Sequence, residues 1–363
     1  MRETAFVLAA LFAACAEATP RQIQKFNFDF DDNVFSTKAQ IYLSHKTTHQ
    51  ETPVSTAKWA EVRQLFGKPG QWFEFELLPT GLRDFNDKGP RGTDLFESQV
   101  QSALDDALWN WKAKSWGALI DAMHNPEKLE HTAFITARMH SPEGMMKGFE
   151  LLRRRRLIEN VPRIDTLYIV GWDGFEPQMK KLLEGQAKTV AQRTDEPVKK
   201  TEEIPADSAG RKAIVMKYLL DALQETPLPV GAKPITDREG TAKEPLQLWG
   251  FSDDDFGNYM TAYCVLSQEV AEKKWPHVKI ILFYSGKLGP MEVPRDEACA
   301  KRYGPIPKKK TGARRTKSKA GGPLPTEVSE EEYSQLSLVI RPDGRPRQLL
   351  PEEGTYMGAS VPR

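Results

Sequence analysis

"KFNFDFDDNVF", residues 25–35, places Asp29, Asp31, Asp32 and Asn33 at the end of an apolar, aromatic run. A short run of continuous rather than alternating apolarity reads as a strand covered on both faces, as in a parallel sheet. Four more runs of this kind follow: "HTAFIT" (131–136), "TLYIVG" (166–171), "LQLWGF" (246–251) and "VKIILFYS" (278–285). Helical patterns lie between them. "SPEGMMKGFELLRRRRLIEN" opens on a Ser-Pro-Glu helix start, and "SAGRKAIVMKYLLDALQE" and "GNYMTAYCVLSQEVAEKKW" repeat apolar residues at helical spacing. The alternation predicts an α/β fold with a Rossmann-like, doubly wound parallel sheet.

The spacing of the runs is uneven. Residues 37–129, between the first two strands, are far too many for one crossover and hold five of the eight tryptophans, Trp59, Trp72, Trp109, Trp111 and Trp116. They predict an inserted, largely helical cap over the carboxyl ends of the strands, flanked by core segments 20–36 and 130–290. Residues 183–208 are polar and free of aromatics, and predict a mobile insert. Residues 305–325, "PIPKKKTGARRTKSKAGGPLP", are basic and rich in Gly and Pro, which predicts disorder, and 326–363 form a carboxyl-terminal tail. The basic stretch suits nucleic acid or anionic lipid, but no aromatic is interleaved for stacking, which favours a solubilising role.

At 363 residues, 39% hydrophobic and 28% charged, the composition is that of a globular protein with a sizeable core. A net charge of +1 excludes a wholly basic nucleic-acid binder. Cys15, Cys264 and Cys299 show no paired or CxxC spacing, and His124, His131 and His140 show no zinc spacing. The "RRRR" at 153–156 falls late in a helix, where cations suit the dipole. Residues 1–19 combine Arg2, an apolar stretch from Ala5 to Ala14 and small residues around Cys15, and form a candidate signal peptide for export. An amphipathic or buried amino-terminal helix in a cytoplasmic protein is the alternative. No other segment approaches the ~20 apolar residues of a membrane span.

Asp29, Asp31 and Asn33 match the first three ligand positions of a calcium loop, but Val34 stands where Gly is needed and Gln40 where Glu is needed. A strand end accounts for them better. Residues i and i+2 of a strand point to the same side, so Asp29 and Asp31 would repel, and a divalent cation relieves that cost. An Asp beside Mg2+ can serve as a nucleophile toward phosphorus while a second Asp exchanges protons with leaving group and water.

In these residues the chain resembles the haloacid dehalogenase-like superfamily, whose first motif is an apolar strand followed by Asp-x-Asp-x-Thr or Val. "FNFDFDDNVF" supplies Asp29 and Asp31, with Asn33 where Thr or Val is usual. "HTAFITARMHSPEG" places Thr136 at the family's second motif, the phosphoryl-binding Ser or Thr at a strand end. "LQLWGFSDDDFGN" supplies the fourth, acidic motif, in which the spacing to Asn258 assigns Asp254 as a metal ligand with Asp253 supporting it. For the third motif, a Lys, "SAGRKAIVMKYLL" offers Lys212 and Lys217, of which Lys212 stands earlier in its helix.

The resemblance covers 24–36, 130–172 and 209–287 and implies a Mg2+-dependent phosphohydrolase acting on a small phosphomonoester. Asp29 would form an aspartyl-phosphate, and Asp31 would protonate the leaving group and then activate water. Mg2+ would be held by Asp29, Asp31 through its main-chain carbonyl, Asp254 and Asp253. A non-catalytic binding protein of the same fold, using the Trp-rich insert and basic tail for a partner, is the alternative, motivated by Asn33.

Overall fold

The computed structural model describes residues 24–195, 197–198, 202–226, 247–272 and 274–286, with the short segments 337–340 and 346–348. The candidate signal peptide (1–19), the basic stretch (305–325) and all of the tail but those two segments lie outside the described residues.

The strands are β1 (Gln24–Phe28), β2 (Gln40–His45), β3 (Glu51–Ser55), β4 (Phe75–Glu76), β5 (Thr132–Thr136), β6 (Leu167–Ile169), β7 (Gln247–Asp253), β8 (Val278–Tyr284), β9 (Ser337–Ile340) and β10 (Pro346–Gln348). The α-helices are α1 (Thr56–Val62), α2 (Leu95–Asp105), α3 (Trp116–His124), α4 (Pro126–Leu129), α5 (Pro142–Arg154), α6 (Phe175–Thr194), α7 (Ser208–Gln224) and α8 (Phe256–Ala271). All five expected strands form one parallel sheet in the order β8-β7-β1-β5-β6. At the β8 edge the sheet continues antiparallel through β9 and β10, so residues 337–340 and 346–348 are sheet rather than tail. The apolar "SLVI" of β9 is the kind of run that pairs there.

Alternate residues of the central strands serve opposite faces. Ala133, Ile135, Trp249, Phe251, Ile280 and Leu282 pack with α6, α7 and α8. Phe26, Phe28, Phe134, Leu167 and Ile169 pack with α2, α3 and α5. Helices on both faces make the sheet doubly wound and explain the unbroken apolarity of its strands. The chain leaves β1 toward β5 on one side and returns to β7 on the other, so the β1/β7 junction is the topological switch point.

Two expectations about the connections are corrected. The segment 37–129 is helical only in part, and its strands were not expected. Its first part is a three-stranded antiparallel sheet, β3-β2-β4, with α1 and 3-10 turns, around Ile41, Leu43, Val54, Val62 and Phe85, with Trp59 and Trp72 against them. Its second part belongs to the main core: Phe96, Val100 and Ala103 of α2 sit one helical turn apart and, with Trp116, bury against Phe30, Phe35 and Phe149. Nor is 183–208 a mobile insert throughout. Helix α6 runs on to Thr194 and ends at Asp195 in the left-handed conformation, because "LEGQAKTVAQRT" is rich in helix formers. Ile204 beyond it packs on the core and Glu202 pairs with Lys217.

Among the described residues no helix is long and apolar enough to cross a membrane.

Gly148 of α5 touches the edge of Phe96: a Cβ there would lie 2.3 Å from the ring. We expect Gly148→Ala to destabilise the chain by about 1–3 kcal/mol, the usual cost of overpacking a tight core. Urea melts check this, and an unchanged midpoint would mean that α2 and α5 can part without cost.

Candidate metal centre

Asp29 follows β1 directly, and its N–H donates to the Ser252 carbonyl of β7 at 2.9 Å. The register pairs Phe28 with Ser252, so the next residues along, Asp29 and Asp253, stand level at the switch point. Asp29, Asp253 and Asp254 each present an oxygen, all within 4.8 Å of one another. Asp29 and Asp253 are buried and Asp254 is half-buried. Parallel pairing supplies two of these carboxylates from residues 224 positions apart, and the turn after β7 adds the third.

Lys212 is the cation of the site. It enters from the fifth residue of α7, a helix that Asp207 caps by accepting from Gly210 N–H. With no exposed surface, Lys212 donates to Asp253 Oδ2 at 2.7 Å and forms an ion pair with Asp29 Oδ1 at 2.9 Å. Burial pulls its pKa down, but Asp253 and Asp29 more than offset this and hold the ammonium charged. Lys217, the other candidate, instead pairs with Glu202 and Glu269 away from these carboxylates.

One ammonium cannot balance three carboxylates. Burial raises Asp29 to about 7, with Lys212 pulling it down and Asp253 and Asp31 pushing it up. Burial raises Asp254 well above the ordinary carboxylate value, and Asp29, Asp253, Asp32 and Asp255 all push the same way. Asp29 Oδ1 also lacks an aligned hydrogen bond despite its ion pair. A divalent cation relieves these strains together, and an all-oxygen donor set suits Mg2+, Mn2+ or Ca2+ rather than a soft metal.

Asp31 stands outside this triad. Arg138, fully buried two residues past β5, donates from Nε to Asp31 Oδ2 at 2.8 Å and from Nη2 to Asp31 Oδ1 at 2.6 Å. Its guanidinium also donates to Gln99 Oε1 and Thr37 Oγ1 and lies against Phe85 and Phe96. Burial raises Asp31, and Arg138 pulls it back without cancelling the rise. Thr136 is buried at the end of β5, where its hydroxyl accepts from Arg138 N–H at 3.4 Å.

Arg138 and Gly286 have no part in the sequence reading of the site, and Asp255 and Asn258 belong to its acidic motif without a contact assigned to them. Arg138 stood in the quoted "FITAR" with no role, since sequence gives no hint that its fork meets Asp31. Asp255 caps α8 by accepting from Asn258 N–H and pairs with Arg63 from the 37–129 segment. Asn258 turns its side-chain amide toward Asp253 Oδ1 at 3.5 Å. Gly286 lets the loop after β8 lie against Asp254, whose carbonyl would be 2.2 Å from an added Cβ. Asn33 donates from its side chain to the main-chain carbonyls of both Asp29 after β1 and Ser252 in β7.

Compared with protein-family models, with curated proteins and with solved structures, the chain matches none.

Proposed function

We propose that the chain is a Mg2+-dependent phosphohydrolase of haloacid dehalogenase-like type, acting on a small phosphomonoester through an aspartyl-phosphate. The observation that carries this is the triad Asp29, Asp253 and Asp254 around buried Lys212, at the carboxyl ends of adjacent parallel strands. Mg2+ would be held by these three carboxylates, with the Asp31 main-chain carbonyl, and would supply Lewis-acid charge to a phosphoryl oxygen.

The chain's own residues supply the rest. Lys212 favours the ionised form of Asp29, so that its oxygen can attack phosphorus as the ester bond to the leaving oxygen breaks. Asp31, whose pKa is raised by burial, gives a proton to that oxygen and takes one from the water that later cleaves the acyl-phosphate. Thr136 would hydrogen-bond the phosphoryl group from the end of β5. The β2-β3-β4 unit serves as the cap, and Arg63 ties it to the site through Asp255.

A second reading, a non-catalytic binding protein, draws on one observation: Arg138 occupies both Asp31 oxygens, so proton exchange requires that fork to open. Screening phosphorylated metabolites and an aryl phosphate with and without Mg2+ separates the two. Mg2+-dependent phosphate release is expected. Binding of Mg2+ with no turnover across the panel would instead favour the second reading.

A further inference from the structure

We infer that Asn33 is a positioning residue that fixes the spacing of the metal carboxylates, an inference that rests on the metal centre proposed above. Asn33 has no exposed surface. Its Nδ2 donates to the Asp29 carbonyl at 2.9 Å and to the Ser252 carbonyl and Oγ at 3.0 and 2.9 Å. Its Oδ1 accepts from Ser285 Oγ at 2.6 Å and from Ser115 Oγ at 2.8 Å.

These partners are the backbone of the site. Asp29 is itself one of the three carboxylates, Ser252 immediately precedes Asp253, and Ser285 N–H donates to the Asp253 carbonyl at 3.0 Å. One carboxamide therefore braces the ends of β1, β7 and β8 against each other. Ser115, which precedes α3, joins from the 37–129 segment, where its N–H also donates to the Asn33 carbonyl at 2.8 Å.

The turn that delivers Asn33 is built for this. Asp32 adopts φ 50°, a left-handed conformation that Asp tolerates better than most residues, and accepts from Ser36 Oγ at 2.6 Å and from Thr56 Oγ1. Neither of the residues usual at this position can make these contacts: Val has no polar group, and Thr has one hydroxyl against two donor hydrogens and a carbonyl. An interaction behind the ligands orients them without touching the metal, and its loss typically costs 10–100-fold in metal affinity or activity.

The test uses the full chain and Mn2+ as the probe ion. Asn33→Leu keeps the size and removes all five bonds, and Asn33→Thr keeps one hydroxyl. In either folded variant the Mn2+ dissociation constant is expected to rise about 10-fold or more. For the substrate found in the panel, kcat should fall by a similar factor with KM nearly unchanged. A residue that only stabilises the fold would lower the melting temperature and leave both values intact in the folded protein, and that result overturns the inference.

Should both variants fail to fold, the Ser115→Ala/Ser285→Ala double variant decides, because it keeps Asn33 but frees its Oδ1. Weaker Mn2+ binding is expected there, and wild-type binding would overturn the inference. If the wild-type chain binds Mn2+ but turns over no phosphomonoester, the functional reading fails while the comparison of dissociation constants still decides this one. A wild-type chain that binds no Mn2+ overturns both.

Discussion

Asp29→Asn is expected to reduce Mg2+-dependent hydrolysis of an aryl phosphate by on the order of 10^4-fold or more, as removal of a covalent nucleophile does, while the chain stays folded. The amide has the shape of the carboxylate but cannot form the acyl-phosphate. Lys212 keeps its bond to Asp253, so the buried ammonium is not left without a partner. The same substitution should change how metal-free stability depends on pH. Burial raises folded Asp29 to about 7, against about 4 for an unfolded Asp. Between those values the folded state binds more protons than the unfolded state, so stability falls as pH rises through that window. Asn33 and the strand pairing are untouched, so the variant should lose less stability over the same range. Initial rates with Mg2+ and thermal melts without it check the two parts. Undiminished turnover would remove Asp29 from the chemistry, and a variant with the full wild-type pH slope would place the raised carboxylate elsewhere.

Much of this arrangement was legible in the sequence because buried strands and the acidic residues directly behind them leave local marks. Continuous apolar runs gave the five parallel strands, since a strand covered on both faces has no polar side to alternate with. Acidic residues directly behind two of those runs gave Asp29, Asp253 and Asp254, and an early position in its helix favoured Lys212 over Lys217. The burial of Lys212 and the pairing of Lys217 with two glutamates show why one of them reaches the site and the other does not.

What was hidden depends on contacts between distant residues. The Arg138 fork on Asp31 joins residues 107 apart, and nothing in "FITAR" says which carboxylate it meets. The segment 37–129 looked helical because its most periodic stretch, around α2, is helical. The β2-β3-β4 sheet was missed because it is built from short strands, with Pro53 in β3 and His45 in β2, whose pattern is weak. Asn33 departs from the usual pattern by one letter, and only the three-dimensional junction of β1, β7 and β8 gives that letter a function.

Replacing Lys212 should have the largest effect on stability. Lys212→Met preserves much of the side chain's volume and removes its charge, leaving Asp29 and Asp253 without the ammonium that both face. Breaking a buried ion pair from one side typically costs about 3–5 kcal/mol, because the remaining charge stays buried. The cost must depend on pH. Without Lys212 the Asp29 carboxyl, already raised by burial, is raised further and folds as a protonated acid at low pH, so the deficit should be smaller near pH 5 and grow toward pH 8. Divalent cation should restore part of it at the higher pH, since it supplies the missing positive charge where the three oxygens converge. The double variant Lys212→Met/Asp253→Asn should be less damaged than the sum of its single changes, because each removes the other's unpaired charge. Asp253 will not be silent alone, since its Oδ1 also accepts from Asp255 N–H at 2.8 Å. Chemical denaturation of the four proteins at both pH values, with and without Mg2+, measures all of this. A Lys212→Met chain within about 1 kcal/mol of wild type at pH 8 would mean that the triad does not carry the negative charge on which its reading as a metal centre depends.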